Sequence, residues 1–178
     1  MQAAHPSHTE PIPASSLLEA LLGSGIDCVV TVPDWVQLSL HEALTSSPLA
    51  VTVCCTENQA VCVSTGMRIG GRFPVVLIQN QGLYACLNAL RATALDAKLP
   101  TLFLIGQFGR EDANHGHPHR ASTRSPVRYL EPALEAFDVC FWHLENESDL
   151  CNVSIAAAHV REHGRSAALI VGTALAWK

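Results

Sequence analysis

Six short apolar runs, rich in β-branched and aliphatic residues, recur along the chain: CVVTV (28–32), LAVTVC (49–54), FPVVLIQ (73–79), PTLFLIG (100–106), VCFWH (139–143) and SAALIVG (166–172). Each is separated from the next by a stretch with helical punctuation. Most are apolar on both faces, so they need cover on both sides, which parallel strands obtain from their crossover helices. The expectation is an α/β fold: a doubly wound, parallel six-stranded sheet with helices on both faces.

The helical stretches carry their own signals. Ser16 and Glu19 have capping-box spacing ahead of LLEALL, with Gly23 and Gly25 as stops. Thr56 and Gln59 offer a second box, opening a helix that runs to Gly70-Gly71. Further helices are expected over 35–45, 83–97 and 147–163, and Ser125-Pro126 reads as N-cap and N1 of one ending near Phe137. Residues 1–13, with three prolines and no apolar period, are expected to form a flexible arm, and 14–178 a single domain. The long polar segment 107–124, QFGREDANHGHPHRASTR, has the length of a functional loop.

Composition narrows the function. Eleven basic against sixteen acidic residues give a net charge of -5 with no basic stripe, so no nucleic-acid partner is expected. A membrane span would need roughly 20 consecutive apolar residues, which do not occur. The N-terminal segment has neither the basic nor the apolar part of a signal peptide. Seven cysteines, without C-x-x-C spacing, read as core thiols of a protein in the reducing cytoplasm.

Ligands of open α/β sheets bind beyond the carboxyl ends of the strands. Those ends supply Val32-Pro33-Asp34, Thr56-Glu57-Asn58, Asn80-Gln81-Gly82 and the histidine-bearing loop. Glu57 stands immediately after what reads as a buried strand, at a helix start. It is either a first-turn carboxylate complementing the helix dipole or a group placed to exchange a proton with a heterocycle nitrogen. Asp34 is either a cap of the following helix or a proton relay. Asn80, Gln81 and Gly82 offer amides and a glycine at which a backbone can approach a ligand, or form an ordinary turn. Asn88 reads as a partner for a buried backbone group.

His115, His117 and His119 invite a metal reading. Gly116 and Pro118 leave the loop's shape open, however, and no carboxylate or thiol joins the histidines at a recognisable spacing. No metal ligand is therefore assigned, while a solvated loop and an acid/base role both stay open.

DCVVTVPD, VCCTENQA, GMRIGGRFPVVLIQNQGL and NALRATALDAKLPTLFLIGQFGRE, in this order, resemble the pyrimidine-binding domain of thiamine diphosphate-dependent decarboxylases. The likeness extends to the alpha subunit of sulfopyruvate decarboxylase and the corresponding half of phosphonopyruvate decarboxylase. It covers about residues 14–172.

The resemblance implies a lyase that decarboxylates a small 2-oxo acid, with thiamine diphosphate as electron sink. The family's glutamate, matching Glu57, hydrogen-bonds the aminopyrimidine and promotes its imino form, which deprotonates the thiazolium. Asp34 matches the Asp of the strand-one turn, a candidate for handling protons. Asn80, Gln81 and Gly82 are implied close to the cofactor. The family's loop histidines imply an acid/base role for one of His115, His117 or His119, with His115 and His117 as the candidates.

The family's diphosphate domain carries a GDG motif and a downstream Asn that hold Mg²⁺. No GDG occurs here, which implies a beta subunit bearing that motif and a heteromer, two of each chain or larger. A carboligating lyase subunit and a non-catalytic regulatory subunit are the alternatives. The turn reads QNQGLYACLN where relatives carry the QNSGLGN type, putting bulk at Tyr84 and Cys86. Arg110, Arg120 and Arg124 are the nearest cations for an acidic substrate.

Overall fold

The computed structural model describes residues 10–177. Its centre is the expected parallel sheet of six strands, β1 (Cys28–Thr31), β2 (Ala50–Val53), β3 (Pro74–Gln79), β4 (Leu102–Gly106), β5 (Cys140–Leu144) and β6 (Ala167–Val171), in the order β2-β1-β3-β4-β6-β5. Every neighbouring pair is parallel. The helices are α1 (Ala14–Gly23), α2 (Leu38–Thr45), α3 (Glu57–Ile69), α4 (Asn80–Leu90), α5 (Ser125–Arg128), α6 (Leu130–Ala136) and α7 (Cys151–His163).

The strand period of two sorts the core into two layers. Val29, Val75, Leu77, Leu102, Leu104 and Leu169 face one way, where they pack with Leu17, Leu21, Leu40 and Val153 from α1, α2 and α7. Val30, Val76, Ile78, Phe103, Ile105 and Ile170 face the other, against Val61, Leu83, Leu90 and Leu130 from α3, α4 and α6. From β1 the chain moves outward to β2 and then returns to lay β3 on β1's other side. The crossover direction reverses there, and the crevice beyond β1 and β3 is the place where such folds bind ligands.

Several boundaries differ from expectation. α1 starts at Ala14, so Ser16 is inside it; its hydroxyl donates to Glu147 Oε1 and no Ser16–Glu19 box forms. Residues 1–9 of the expected arm lie outside the described residues. Of the remainder, Ile12 is buried and Pro13 bridges Ala176, so the arm's end joins the fold. β2 is an edge strand whose Val51 and Val53 are exposed and line an open cavity with His41, Leu44 and Thr45 of α2, and a run of apolar residues does not reveal an edge. The segment 125–137 breaks at Tyr129 into α5 and α6. β5 starts after Asp138, which takes a left-handed φ of 55°. α4 passes into a π-helical stretch, Arg91–Asp96.

Candidate active site

Glu57 opens α3. Thr56, in extended backbone, accepts the Gln59 N–H on its hydroxyl at 3.3 Å, while the Gln59 side-chain oxygen accepts the Cys55 N–H at 2.9 Å. This is a reciprocal cap displaced by one residue, and it fixes where the helix begins. The Glu57 side chain is half-buried and lies over Gly82 in the first turn of α4; a Cβ at Gly82 would sit 2.5 Å from Glu57 Cγ and Oε1. The backbone room at Gly82 is thus occupied by Glu57. Among the described residues the Glu57 carboxylate receives no hydrogen bond. Beneath it, burial and then the charge of Glu57 push the Cys86 thiol up to about 12. Cys86 is wholly buried.

Asp34 is 5% exposed. Its Oδ1 accepts the Gln37 N–H at 2.9 Å and its Oδ2 accepts the Gln37 amide at 2.7 Å, so it caps the turn entering α2. α2 itself begins at Leu38 rather than at residue 35. Burial raises the Asp34 pKa against the opposing Gln37 hydrogen bonds. The Asp34 backbone N–H donates to His41 Nε2 at 3.3 Å, and burial lowers the His41 pKa against the charge of Asp34. Gly106 makes room for this carboxylate, since a Cβ there would lie 2.9 Å from both of its oxygens.

Asn80 is wholly buried; its amide donates to Phe108 O at 3.0 Å and Pro126 O at 3.2 Å, and its oxygen accepts the Gln81 N–H at 2.9 Å. It ties α4 to the loop after β4. Tyr84 does the same, donating its hydroxyl to Pro126 O at 2.9 Å. Asn88 is exposed and accepts from Arg91 instead of satisfying a buried backbone group. Gln81 is exposed and lines a cavity of about 400 Å³ with Phe108, Glu111 and Arg124.

The three arginines are not equivalent. Arg110 is buried and bonds both oxygens of Glu145 at 2.8 Å, and Arg120 pairs with Glu131 and Glu135. The Arg124 guanidinium makes no ion pair among the described residues.

The histidines part company as well. His115 is half-buried, His117 is exposed, and His119 is buried against Glu145, Glu131 and His143. Sequence spacing missed these partners because they come from α6 and from β5 and its end; only folding joins them to the loop.

The comparisons fit this geometry. The thiamine pyrophosphate enzyme, N-terminal TPP binding domain, family matches residues 14–125. The sulfopyruvate decarboxylase subunit alpha of Methanococcus maripaludis is 31% identical over 100 residues, which cover 54% of this chain and 58% of that protein. The match therefore spans less than two thirds of the relative's length. The 2-oxoglutarate:ferredoxin oxidoreductase of Magnetococcus marinus, solved with 2-oxoglutarate, coenzyme A and succinyl-CoA bound, superposes with a TM-score of 0.62 at 11% identity, covering 96% of this chain and 30% of that one. At that identity the likeness is one of fold. With the family match spanning more than half of its length, the chain belongs to the thiamine pyrophosphate enzymes, as their N-terminal TPP-binding domain.

Proposed function

We propose that this chain is the pyrimidine-binding, alpha-type subunit of a heteromeric thiamine diphosphate-dependent 2-oxo acid decarboxylase. The observation that carries the reading is the Glu57 carboxylate, without a hydrogen-bond partner among the described residues and half-buried between the N-termini of α3 and α4 over Gly82. Such an acceptor fits a ring N–H of an aminopyrimidine. When bound, the cofactor supplies an electron sink for loss of carbon dioxide.

Glu57 holds the heterocycle and exchanges a proton with it. Asp34, in the turn that follows β1, is the group we assign to handling a substrate proton. Arg124, beside Gln81 in the 400 Å³ cavity, is the cation we assign to the substrate's anionic group. Gly82 acts indirectly by leaving room for Glu57, and Asn80 by holding the loop. A part for His115 or His117 rests on the family likeness alone.

The diphosphate and its Mg²⁺ would be held by a second chain. A partner is supported by the relative's being a subunit alpha and by exposed apolar residues, Trp35 between β1 and α2 at 72% and Val53 in the edge strand β2 at 65%. The seven free cysteines support cytoplasmic placement. The test is reconstitution with a GDG-bearing chain, thiamine diphosphate and Mg²⁺, measuring carbon dioxide release over a panel of 2-oxo acids. Release that needs both chains is expected; none from any acid with the assembled complex would sink the proposal. Product analysis with an added aldehyde separates decarboxylation from carboligation.

A further inference from the structure

At the other edge of the sheet, beyond β5 and β6, buried charges surround a second cavity of about 390 Å³ lined by Arg110, His117, His119, Glu131, His143 and Glu145. His119 is 4% exposed, and its Nε2 lies 2.6 Å from Glu145 Oε1. Glu145 is in turn held by Arg110, and a Cβ at Gly172 would collide with it, so the glycine that follows β6 leaves its place clear. The bond from His119 to Glu145 orients the imidazole and directs Nδ1 toward Glu131.

That Nδ1 is buried and has no hydrogen-bond partner among the described residues. It lies 3.9 Å from Glu131 Oε1, beyond hydrogen-bond reach. Arg120 Nε donates to the other Glu131 oxygen at 2.5 Å, which turns Oε1 toward the histidines. His143 Nε2 lies 3.0 Å from the same Oε1, and the three donor atoms all fall within 4.8 Å of one another.

We propose that His119 Nδ1, His143 Nε2 and Glu131 Oε1 bind one divalent transition-metal ion, zinc being the ion their chemistry suits, with a fourth position open to the cavity. Two imidazoles and a carboxylate are a zinc donor set. Bonds of about 2.0 Å in a tetrahedron put ligands about 3.3 Å apart, so His119 has to close on Glu131 by roughly half an ångström. Glu145 acting on His119, with Arg110 behind it, is the carboxylate–histidine–metal arrangement that orients a ligand. Three carboxylates, Glu131, Glu135 and Glu145, stand against two guanidinium groups, Arg110 and Arg120, so an added cation relieves excess negative charge. The H-x-H-x-H motif contributes only its last histidine.

The test titrates Zn²⁺ into the full-length chain against a chromogenic chelator. The wild type should take up one equivalent, and His143→Gln should hold that equivalent at least about tenfold more weakly. His159→Gln, which breaks the other close imidazole pair (His159 and His163, ring centroids 4.9 Å apart), should bind like the wild type. Co²⁺ added to the wild type should give intense tetrahedral bands without thiolate charge-transfer absorption, a readout that needs no variant to fold. Zinc uptake unchanged by His143→Gln, uptake lost in His159→Gln, a thiolate signature or no uptake by the wild type would each overturn the proposal.

Discussion

The side chain that Gly82 lacks is the space in which Glu57 lies: a Cβ there would stand 2.5 Å from Glu57 Cγ and Oε1. Two helices that follow different strands therefore share one volume, and the glycine of one positions the carboxylate of the other. Glu57 can move aside at little cost, and alanine suits a helix better than glycine by about 1 kcal/mol. Gly82→Ala should leave the melting temperature unchanged or slightly raised while cofactor-dependent turnover falls at least about tenfold. Turnover equal to wild type would mean that the carboxylate need not sit where it does.

Asp34 has both oxygens on Gln37, so its two tasks separate by substitution. Asp34→Asn keeps an acceptor for the Gln37 N–H and should change stability by less than about 1 kcal/mol, whereas Asp34→Ala should cost about 1–2 kcal/mol. With the turn preserved, Asp34→Asn should still lower kcat by about 10²-fold. Urea unfolding beside steady-state kinetics reads both, and wild-type kcat in the Asn variant would leave Asp34 a capping residue alone.

His41 gives a pH signature. Burial holds its folded pKa below 6.5, so the unfolded chain binds the proton more readily. Its contribution to stability is present above about pH 6.5 and is lost as pH falls through that value toward the folded pKa. Asp34, with its raised pKa, acts in the opposite sense at lower pH. His41→Gln, which keeps an acceptor for the Asp34 N–H, should flatten the decline in melting temperature just below pH 6.5. An unchanged slope would contradict the burial argument.

Arg124 carries the substrate assignment. Arg124→Ala should raise KM for the 2-oxo acid about tenfold or more, as expected for loss of a charge-assisted hydrogen bond, with a smaller effect on kcat. A KM unchanged within twofold would place the anion elsewhere.

The fold was legible because its signals are local or periodic. Six apolar runs and the punctuation between them suffice for a doubly wound sheet, and Thr56 with Gln59 marked the start of α3 to the residue. Strand position was not legible: nothing in LAVTVC tells an edge from a centre, so Val51 and Val53 come out exposed. Of the candidate site, Glu57 and Asp34 could be found because strand ends are where such sheets place their chemistry. The pairing of glycines with carboxylates could not. Gly82 with Glu57, Gly106 with Asp34 and Gly172 with Glu145 are contacts between different crossovers, at sequence separations that no motif spans. His119, Glu131 and His143 meet for the same reason, and the visible pattern, three alternating histidines, shows only the first of them.

The central claim is that Glu57 exchanges a proton with the bound cofactor. It is tested most directly by the rate at which the thiazolium C2 proton exchanges with deuterium, followed by acid-quench NMR in the chain assembled with its diphosphate-binding partner, without substrate. Glu57→Gln should slow that exchange by at least about 10²-fold while cofactor binding and the fold persist. Exchange as fast in Glu57→Gln as in the wild type would contradict the account.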